Sequence, residues 1–379
     1  MTSKRDEHDR QLRCAIVGCG KVAAKHLKAI RHLDKTLRLA GLVDTRPEAA
    51  RSLLAQAGIR EPVPVFAALD LLLEAEKPDL VAITTPSGTH YRLARQALLA
   101  GAHVLVEKPL TLSLDEADDL LALAAERRLQ IAVGHIYRFF PLVQDLAADL
   151  AAGKLGRVLY GSVAVRWGHD QAYYDAASWR GTWEQDGGAL MNQSIHALDL
   201  MMFLLGGKVV AATGQIGQLA HRMEAEDFGL ATLKLDNGTY CLLEGTTATD
   251  PKRPEASFTV FADNGEVRAG LYAGKPYVRV RDRAGHDLTG RYWRRFLWQT
   301  WRKGGLRALA RLGNPHSGIY ADLARAIRTS RPPLADGKSG RDAVATVLAI
   351  YSAAKSGQTA RCPQDADPLE SMRGFFKEP

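Results

Sequence analysis

Arg13-Cys14-Ala15-Ile16-Val17-Gly18-Cys19-Gly20-Lys21-Val22-Ala23 decides the fold of the first part of the chain. Residues 13–17 read as a buried strand, Gly18-Cys19-Gly20 as a tight turn, and the stretch from about Val22 to Leu33 as a helix. The pattern GxGxxA puts small residues where dinucleotide chemistry needs them. The first glycine allows the turn, the second lets a pyrophosphate approach the backbone, and Ala23 lets helix and strand pack closely. The helix N-terminus presents amide protons to phosphate. A glycine motif alone is weak evidence, because a purely structural turn reads the same way. Its position between strand and helix, with Asp44 closing the next strand, gives it meaning. Asp44 suits the two ribose hydroxyls of NAD(H) and repels a 2′-phosphate. NADP is the lesser reading, carried by Arg46 two residues on.

Outward from this motif, apolar strands alternate with helical patterns: strands at 37–43, 63–66, 80–84, 103–106 and 131–134, helices at 47–57, 68–75, 89–100 and 114–127. That rhythm means βαβ units and a parallel sheet covered on both faces, a Rossmann domain over residues 1–140. After about residue 150 the rhythm changes. Residues 157–167 alternate as a half-exposed strand, and 189–205 read as one long apolar helix. Strands then follow at 209–219, 228–235, 239–247, 257–262, 266–271 and 277–281. Asp236-Asn237-Gly238 and Asp263-Asn264-Gly265 are hairpin signals among them. Residues 141–362 are therefore an α+β domain with a largely antiparallel open sheet, its C-terminal helices (317–356) packing back. Residues 363–379 read as a loosely ordered tail.

Composition narrows the function classes. Of 379 residues, 46% are apolar and 24% charged, as in globular proteins with a full core. A net charge of +8 suits nucleic acid, an acidic membrane surface or a phosphorylated substrate, so the placement of the charge must decide. The four cysteines are widely spaced with no CxxC pairing. No metal site and a reduced, cytoplasmic protein are expected. The opening residues 1–13 are polar, without a signal-peptide core, and no apolar run approaches the roughly 20 residues of a bilayer span.

Two further pieces carry chemistry. Glu107-Lys108-Pro109 follows a strand at the carboxyl edge of the sheet, where ligands of such sheets bind. A lysine there can bond a substrate hydroxyl and stabilise developing alkoxide, though a surface lysine in a turn fits too. In Gly187-Gly188-Ala189-Leu190-Met191-Asn192-Gln193-Ser194-Ile195-His196, Asn192 and His196 stand at i and i+4 and share a helix face. Taken alone, a histidine in an apolar helix is more often a satisfied core residue.

Together, the GxGxxA loop, the EKP tripeptide and the Gly-Gly run leading into a histidine-bearing helix resemble the Gfo/Idh/MocA family of oxidoreductases, over residues 12–360. The closing segment His316 to Ala354 resembles the family's C-terminal helices. The resemblance implies that Lys108 and His196 flank a nicotinamide ring and that one or both handle the substrate hydroxyl proton, with Asn192 beside them. The family often has aspartate where this chain has Asn192, and a neutral amide cannot hold an imidazolium as a carboxylate would. The cofactor contacts expected on this basis are Gly18, Gly20, Lys21, Val22, Ala23, Asp44, Thr45, Arg46, Thr85, Pro86, Ser87, His90, Glu107 and Lys108, with Trp179 and Arg180 from the second domain. Antiparallel sheets of this family commonly pair between subunits, which implies a homodimer or homotetramer.

The run Tyr173 to Asp186, which contains Trp179-Arg180-Gly181-Thr182-Trp183, and the Asn192–His196 segment resemble the branch that oxidises UDP-N-acetylglucosamine or its uronate at C3. The expected substrate contacts are Lys108, Arg166, Tyr173, Tyr174, Thr182, Asn192, Gln193 and His196. Hydroxyl, amide and guanidinium donors suit an anionic, hydroxyl-rich sugar nucleotide. A 3-keto product would suit transamination in surface-glycan or lipid A assembly. The alternatives are a dehydrogenase of a free sugar, inositol or glycoside and, in another class, a non-catalytic NAD-binding sensor or scaffold.

Residues 291–312 (RYWRRFLWQTWRKGGLRALARL) stand apart from the resemblance, with seven basic residues, four Trp or Tyr and no acid. They suit peripheral contact with an acidic membrane at its inner face, a grip on a diphosphate, or a solvated helix over a sheet or subunit interface. Single-stranded nucleic acid is disfavoured for one short patch on an enzyme fold.

Overall fold

The computed structural model describes residues 10–311 and 314–376; the side chains of 303–311 lie outside that description. The reading of the extreme N-terminus and of residues 312 and 377–379 therefore falls beyond the described residues. The chain forms two compact units, one of residues up to Thr111, Asp115–Phe139 and Ala310–Gly340, the other of Leu112–Leu114, Phe140–Leu309 and Arg341 onward.

The first unit is built from β1 (Leu12–Val17), α1 (Ala23–His32), β2 (Leu37–Val43), α2 (Pro47–Gln56), β3 (Val65–Phe66), α3 (Leu69–Glu76), β4 (Leu80–Ile83), α4 (His90–Leu99), β5 (His103–Val106), α5 (Leu114–Arg127) and β6 (Ile131–Val133). Its sheet runs β3-β2-β1-β4-β5-β6, all parallel. Alternation along β1 explains the two layers. Leu12, Cys14 and Ile16 join Leu27, Ile30 and Leu53 on one face, while Ala15 and Val17 join Leu72, Leu93 and Leu98 on the other. Each fully buried aliphatic side chain of this kind contributes about 1.5–3 kcal/mol. The order reverses direction between β1 and β4, which opens a crevice beyond their carboxyl ends.

The second unit holds α6 (Pro141–Ala151), β7 (Val158–Arg166), α7 (Gln171–Asp175), α8 (Ile195–Leu205), β8 (Val209–Gly217), β9 (Phe228–Leu235), β10 (Tyr240–Thr246), β11 (Glu255–Ala262), β12 (Gly265–Tyr272), β13 (Lys275–Asp282) and α9 (Thr289–Arg311). After α10 (His316–Thr329), α11 (Gly337–Ser356) and β14 (Ala360–Arg361) complete it. The sheet runs β13-β12-β11-β7-β10-β9-β8-β14, antiparallel except for β7 with β10. Helix α8 covers one face, where Gly161 leaves room for Met201 and Leu205. The other face is open and presents Tyr160, Leu230, Tyr240 and Leu242 to the surface.

Three expectations are corrected. The C-terminal helices do not pack back as one group: α10 packs on α1 within the first unit, whereas α11 belongs to the second. The single helix over 189–205 is two segments, a π-helical turn (Ala189–Ser194) and then α8. The described part of the tail is not loose. Leu369 and Met372 are buried and Phe376 stacks on Trp183 at 6.4 Å, so apolar residues spaced through a polar tail anchor it.

Candidate active site

In the first unit the glycine loop joins β1 to α1. Gly18 has φ +90°, and a Cβ there would lie 2.7 Å from the Thr85 side chain and 3.0 Å from the Thr84 carbonyl carbon. Only glycine fits that close approach of two strand ends. A Cβ on Gly20 would instead meet nothing within 4 Å. Ala23 is fully buried at the start of α1, whose first turn has no side-chain cap. Asp44, at the end of β2, accepts from the Cys19 amide at 2.8 Å and the Arg46 amide at 2.9 Å, which fixes its carboxylate beside the loop. Lys21, Thr45 and Arg46 are exposed around it. These features fit a dinucleotide: an open approach over Gly20, uncapped amides, and a carboxylate positioned for ribose hydroxyls.

The loop after β4 is tied to its neighbours. Thr84 Oγ1 donates to the carbonyl of Val17 at 3.0 Å, and the hydroxyls of Thr85 and Thr89 lie 2.7 Å apart. His90, expected to touch the cofactor, is buried, and its ring nitrogens meet the carbonyls of Pro109 at 2.7 Å and Thr85 at 3.0 Å. Burial lowers its pKa against the pull of those carbonyls. It acts on the two loops, holding Thr85-Pro86-Ser87 to the Glu107-Lys108-Pro109 turn.

Glu107 is likewise buried, and it carries a network that the sequence did not announce. Its Oε1 lies 2.9 Å from His26 Nε2 and 3.7 Å from His316 Nε2, while His26 Nδ1 is 3.0 Å from the Tyr320 hydroxyl. Burial alone would raise the Glu107 pKa, but hydrogen bonds from the two histidines outweigh it and hold the carboxylate well below the usual range. Burial lowers His26, so its neutral ring donates from Nε2 to Glu107 and accepts at Nδ1 from Tyr320. The three side chains His26, Glu107 and His316 are of metal-ligand type, yet His26 and Glu107 are joined by a direct hydrogen bond. The part-buried Lys108 follows in sequence and inherits a backbone fixed by this anchor.

In the second unit Gly187-Gly188 enters the π-helical turn. A Cβ on Gly188 would fall 2.0 Å from the Glu226 carbonyl oxygen and 2.2 Å from its Oε2. Glu226 Oε1 accepts from the Leu190 amide and the Tyr351 hydroxyl, both at 2.8 Å, and burial raises its pKa from 4.5 to about 8. A protonated carboxyl thus braces the turn at neutral pH. The turn changes the phase between Asn192 and α8, so the i, i+4 spacing to His196 is not that of one continuous α-helix.

Asn192 Nδ2 donates to Asp186, whose other oxygen accepts from the Gly181 amide at 3.0 Å. The carboxylate missing at position 192 is therefore supplied next to it by Asp186. Tyr173, Tyr174, Asp186, Asn192, Gln193 and Thr247 line one narrow cavity. Gln193 Nε2 lies 3.0 Å from His169 Nε2, the His169 ring stacks on Tyr173 at 3.8 Å, and the Tyr174 hydroxyl meets Thr247 Oγ1 at 2.7 Å. Burial lowers the His169 pKa to about 4, so the ring is neutral at pH 7. Arg180 lies over the Tyr173 ring at 4.1 Å with Trp179 beside it, and Thr182 Oγ1 donates to the Trp179 carbonyl at 2.7 Å. Trp183 is wholly buried against Tyr351, so this tryptophan of the WRGTW run is core.

Arg166 does not join this group. Strand alternation puts it on the open face of the sheet, opposite α8, where it pairs with Glu244 at 2.6 Å and Glu255 at 2.9 Å. Its expected substrate contact gives way to these two cross-strand carboxylates. Sequence reading missed His26, His316 and Tyr320, far apart in the chain, and Asp186 and Glu226. Only Asp186 left a signal, as an acid directly before Gly187-Gly188.

A dinucleotide loop on a parallel sheet and a carboxylate-backed polar cavity on a second, antiparallel one are the build of an NAD-dependent oxidoreductase. The chain belongs to the Gfo/Idh/MocA family. The model of its oxidoreductase, NAD-binding Rossmann fold matches residues 12–135, and that of the GFO/IDH/MocA C-terminal domain matches residues 143–268. The UDP-N-acetylglucosamine 3-dehydrogenase of Acidithiobacillus ferrooxidans is 30% identical over 357 residues, covering 91% of this chain and 98% of its own length. The WlbA dehydrogenase of Bordetella pertussis, in complex with NADH and UDP-GlcNAcA, is similar in structure with TM-score 0.77 and 29% identity, over 93% of this chain and 99% of its own. The WlbA dehydrogenase of Chromobacterium violaceum, with the same two molecules, has TM-score 0.79 and 29% identity, over 94% and 97%.

Proposed function

We propose that this enzyme oxidises the C3 hydroxyl of a UDP-linked N-acetylated amino sugar, or of its uronate, to the 3-keto sugar. The observation that carries the reading is similarity over nearly the whole chain, second unit included, to a UDP-N-acetylglucosamine 3-dehydrogenase and to dehydrogenases that hold UDP-GlcNAcA. NAD, held by Gly18, Gly20, the start of α1 and Asp44, supplies the acceptor for the hydrogen that leaves C3 with its electron pair. Lys108 accepts the hydroxyl proton, its backbone set by the Glu107–His26 anchor. His196 assists in the proton transfer, and Asn192 with Gln193 holds sugar hydroxyls. Asp186 accepts from the Asn192 side-chain amide and so fixes its orientation. Binding the nucleotide and the cofactor together orients the two carbons, which is where most of the acceleration of such a transfer arises.

We place the enzyme in the cytoplasm, consistent with four buried free cysteines. It assembles as a homodimer or homotetramer through the open face of the second sheet, where Leu230, Tyr240 and Leu242 are 42–46% exposed. Among the described residues no helix is long and apolar enough to cross a membrane. A panel of UDP-sugars and the matching free sugars, each with NAD, tests the activity by NADH fluorescence. UDP-N-acetylated sugars are expected to react and free sugars not to. For the assembly, Leu242→Arg is expected to reduce the mass found by light scattering, and an unchanged mass would remove the sheet face from the account.

A further inference from the structure

The basic segment singled out in the sequence forms α9, and the structure divides its faces sharply. One side is docked. Tyr292 and Thr300 are buried, Arg295 pairs with Asp145 at 3.0 Å and Asp149 at 3.1 Å, and Gln299 reaches Asp145 at 3.2 Å. These contacts hold the helix on α6 and use the nearby acids.

The other side is uncovered. Trp293 is 44% exposed, Leu297 52%, Trp298 58% and Trp301 62%. At about 100° per residue, Trp293, Leu297 and Trp301 fall within roughly 80° of arc, with Trp298 about 60° beyond. Arg291, Arg294 and Arg302 are exposed on this same side, and Arg302 lies over the Trp298 ring at 4.7 Å. No aspartate or glutamate occurs anywhere in Thr289–Arg311.

We infer that this face of α9 binds the surface of an anionic lipid bilayer. Tryptophan rings are amphipathic and favour the headgroup level, leucine adds apolar area, and arginines beside them are drawn to anionic headgroups. A helix whose exposed side combines these, with no acid to repel the surface, is complementary to such a membrane in charge and chemistry. The Arg295 ion pairs hold this part of the helix against α6 with its other side outward. The inference is independent of the sugar substrate: a wrong substrate would leave it standing, and its failure would leave the reaction untouched.

Co-sedimentation of the full chain with vesicles tests it. Wild type is expected to pellet with phosphatidylcholine vesicles containing phosphatidylglycerol, to stay in solution with pure phosphatidylcholine, and to be released by added salt as surface charges are screened. Trp293→Ala/Trp298→Ala/Trp301→Ala is expected to lower the bound fraction about tenfold, with thermal midpoint and NAD binding unchanged. A second variant, Arg291→Glu/Arg294→Glu, is expected to lose the preference for anionic lipid. Failure of wild type to pellet with anionic vesicles would overturn the inference, as would equal binding by the tryptophan variant. A fall in oligomer mass in the tryptophan variant would assign the face to a second copy of the chain, and binding of a labelled single-stranded oligonucleotide without vesicle binding would assign it to nucleic acid.

Discussion

The glycine loop of the first unit and the Gly-Gly turn of the second both lead a strand-like or irregular segment into a helix, yet they are specified differently. At Gly18 the backbone itself is left-handed, with φ +90°, and the Thr85 side chain 2.7 Å from where a Cβ would lie leaves it no room. At Gly188 the constraint comes from Glu226, 38 residues further on, whose carboxyl fills the space a Cβ would need. Both turns are closed by residues distant in sequence, and at Gly18 the local backbone conformation adds its own demand for glycine.

Lys108→Ala should have the largest effect on activity. Removing a general base costs about 10²- to 10⁴-fold in turnover. NAD binding, followed by fluorescence titration, should persist because the loop at Gly18 is intact. A variant with near wild-type turnover would remove Lys108 from the chemistry and with it the role given to the first unit.

The two glycines of the loop sharpen the comparison within that unit. Gly18→Ala forces a side chain into a left-handed conformation against Thr84 and Thr85 and should cost about 1–3 kcal/mol of stability as well as NAD affinity. Gly20→Ala meets open space, so the thermal midpoint should hold while NAD affinity falls at least tenfold through the blocked approach of the pyrophosphate. Equal thermal shifts in the two variants would contradict the division of labour between them.

In the second unit, Asn192→Asp sets a new carboxylate against Asp186. Two adjacent carboxylates cannot both ionise cheaply, so the pair retains a proton at low pH and loses it as pH rises. Turnover should fall about tenfold, and the loss should grow with pH. A pH-independent loss would show that the Asp186–Asn192 contact is only structural.

The last prediction concerns stability alone. Glu226 in the folded protein keeps its proton to about pH 8, whereas the unfolded chain releases it near 4.5. Between those values the folded state binds more protons, so this group makes stability fall as pH rises. Glu226→Gln removes that slope. Its thermal midpoint should match wild type near pH 5 and exceed it at pH 8, and parallel curves would refute a protonated Glu226.

The same contrast explains what could be read in advance. Strands β2 and β5 and helix α5 have the limits their apolar periodicity predicts. The loop at Gly18 and the placement of Asp44 followed from one contiguous motif. The π-helical turn did not, because nothing within Ala189–Ser194 sets it apart from α-helix, and Glu226, which accepts from the Leu190 amide, lies outside the segment. Arg166 was misplaced for a similar reason. Its residue type suits a sugar nucleotide, but strand alternation places it on the open face, where Glu244 and Glu255 from neighbouring strands pair with it. Glu107 was read as part of a functional tripeptide, while the histidines that hold it come from distant parts of the chain.

The most direct test of the central claim is the initial rate of NADH formation from UDP-N-acetylglucosamine and from UDP-N-acetylglucosaminuronate, with the product's carbonyl position determined by mass spectrometry after borodeuteride reduction. The account predicts NAD-dependent turnover of at least one of the two, with deuterium placed at C3. Turnover of free sugars or inositols only, or a carbonyl at another carbon, would contradict it.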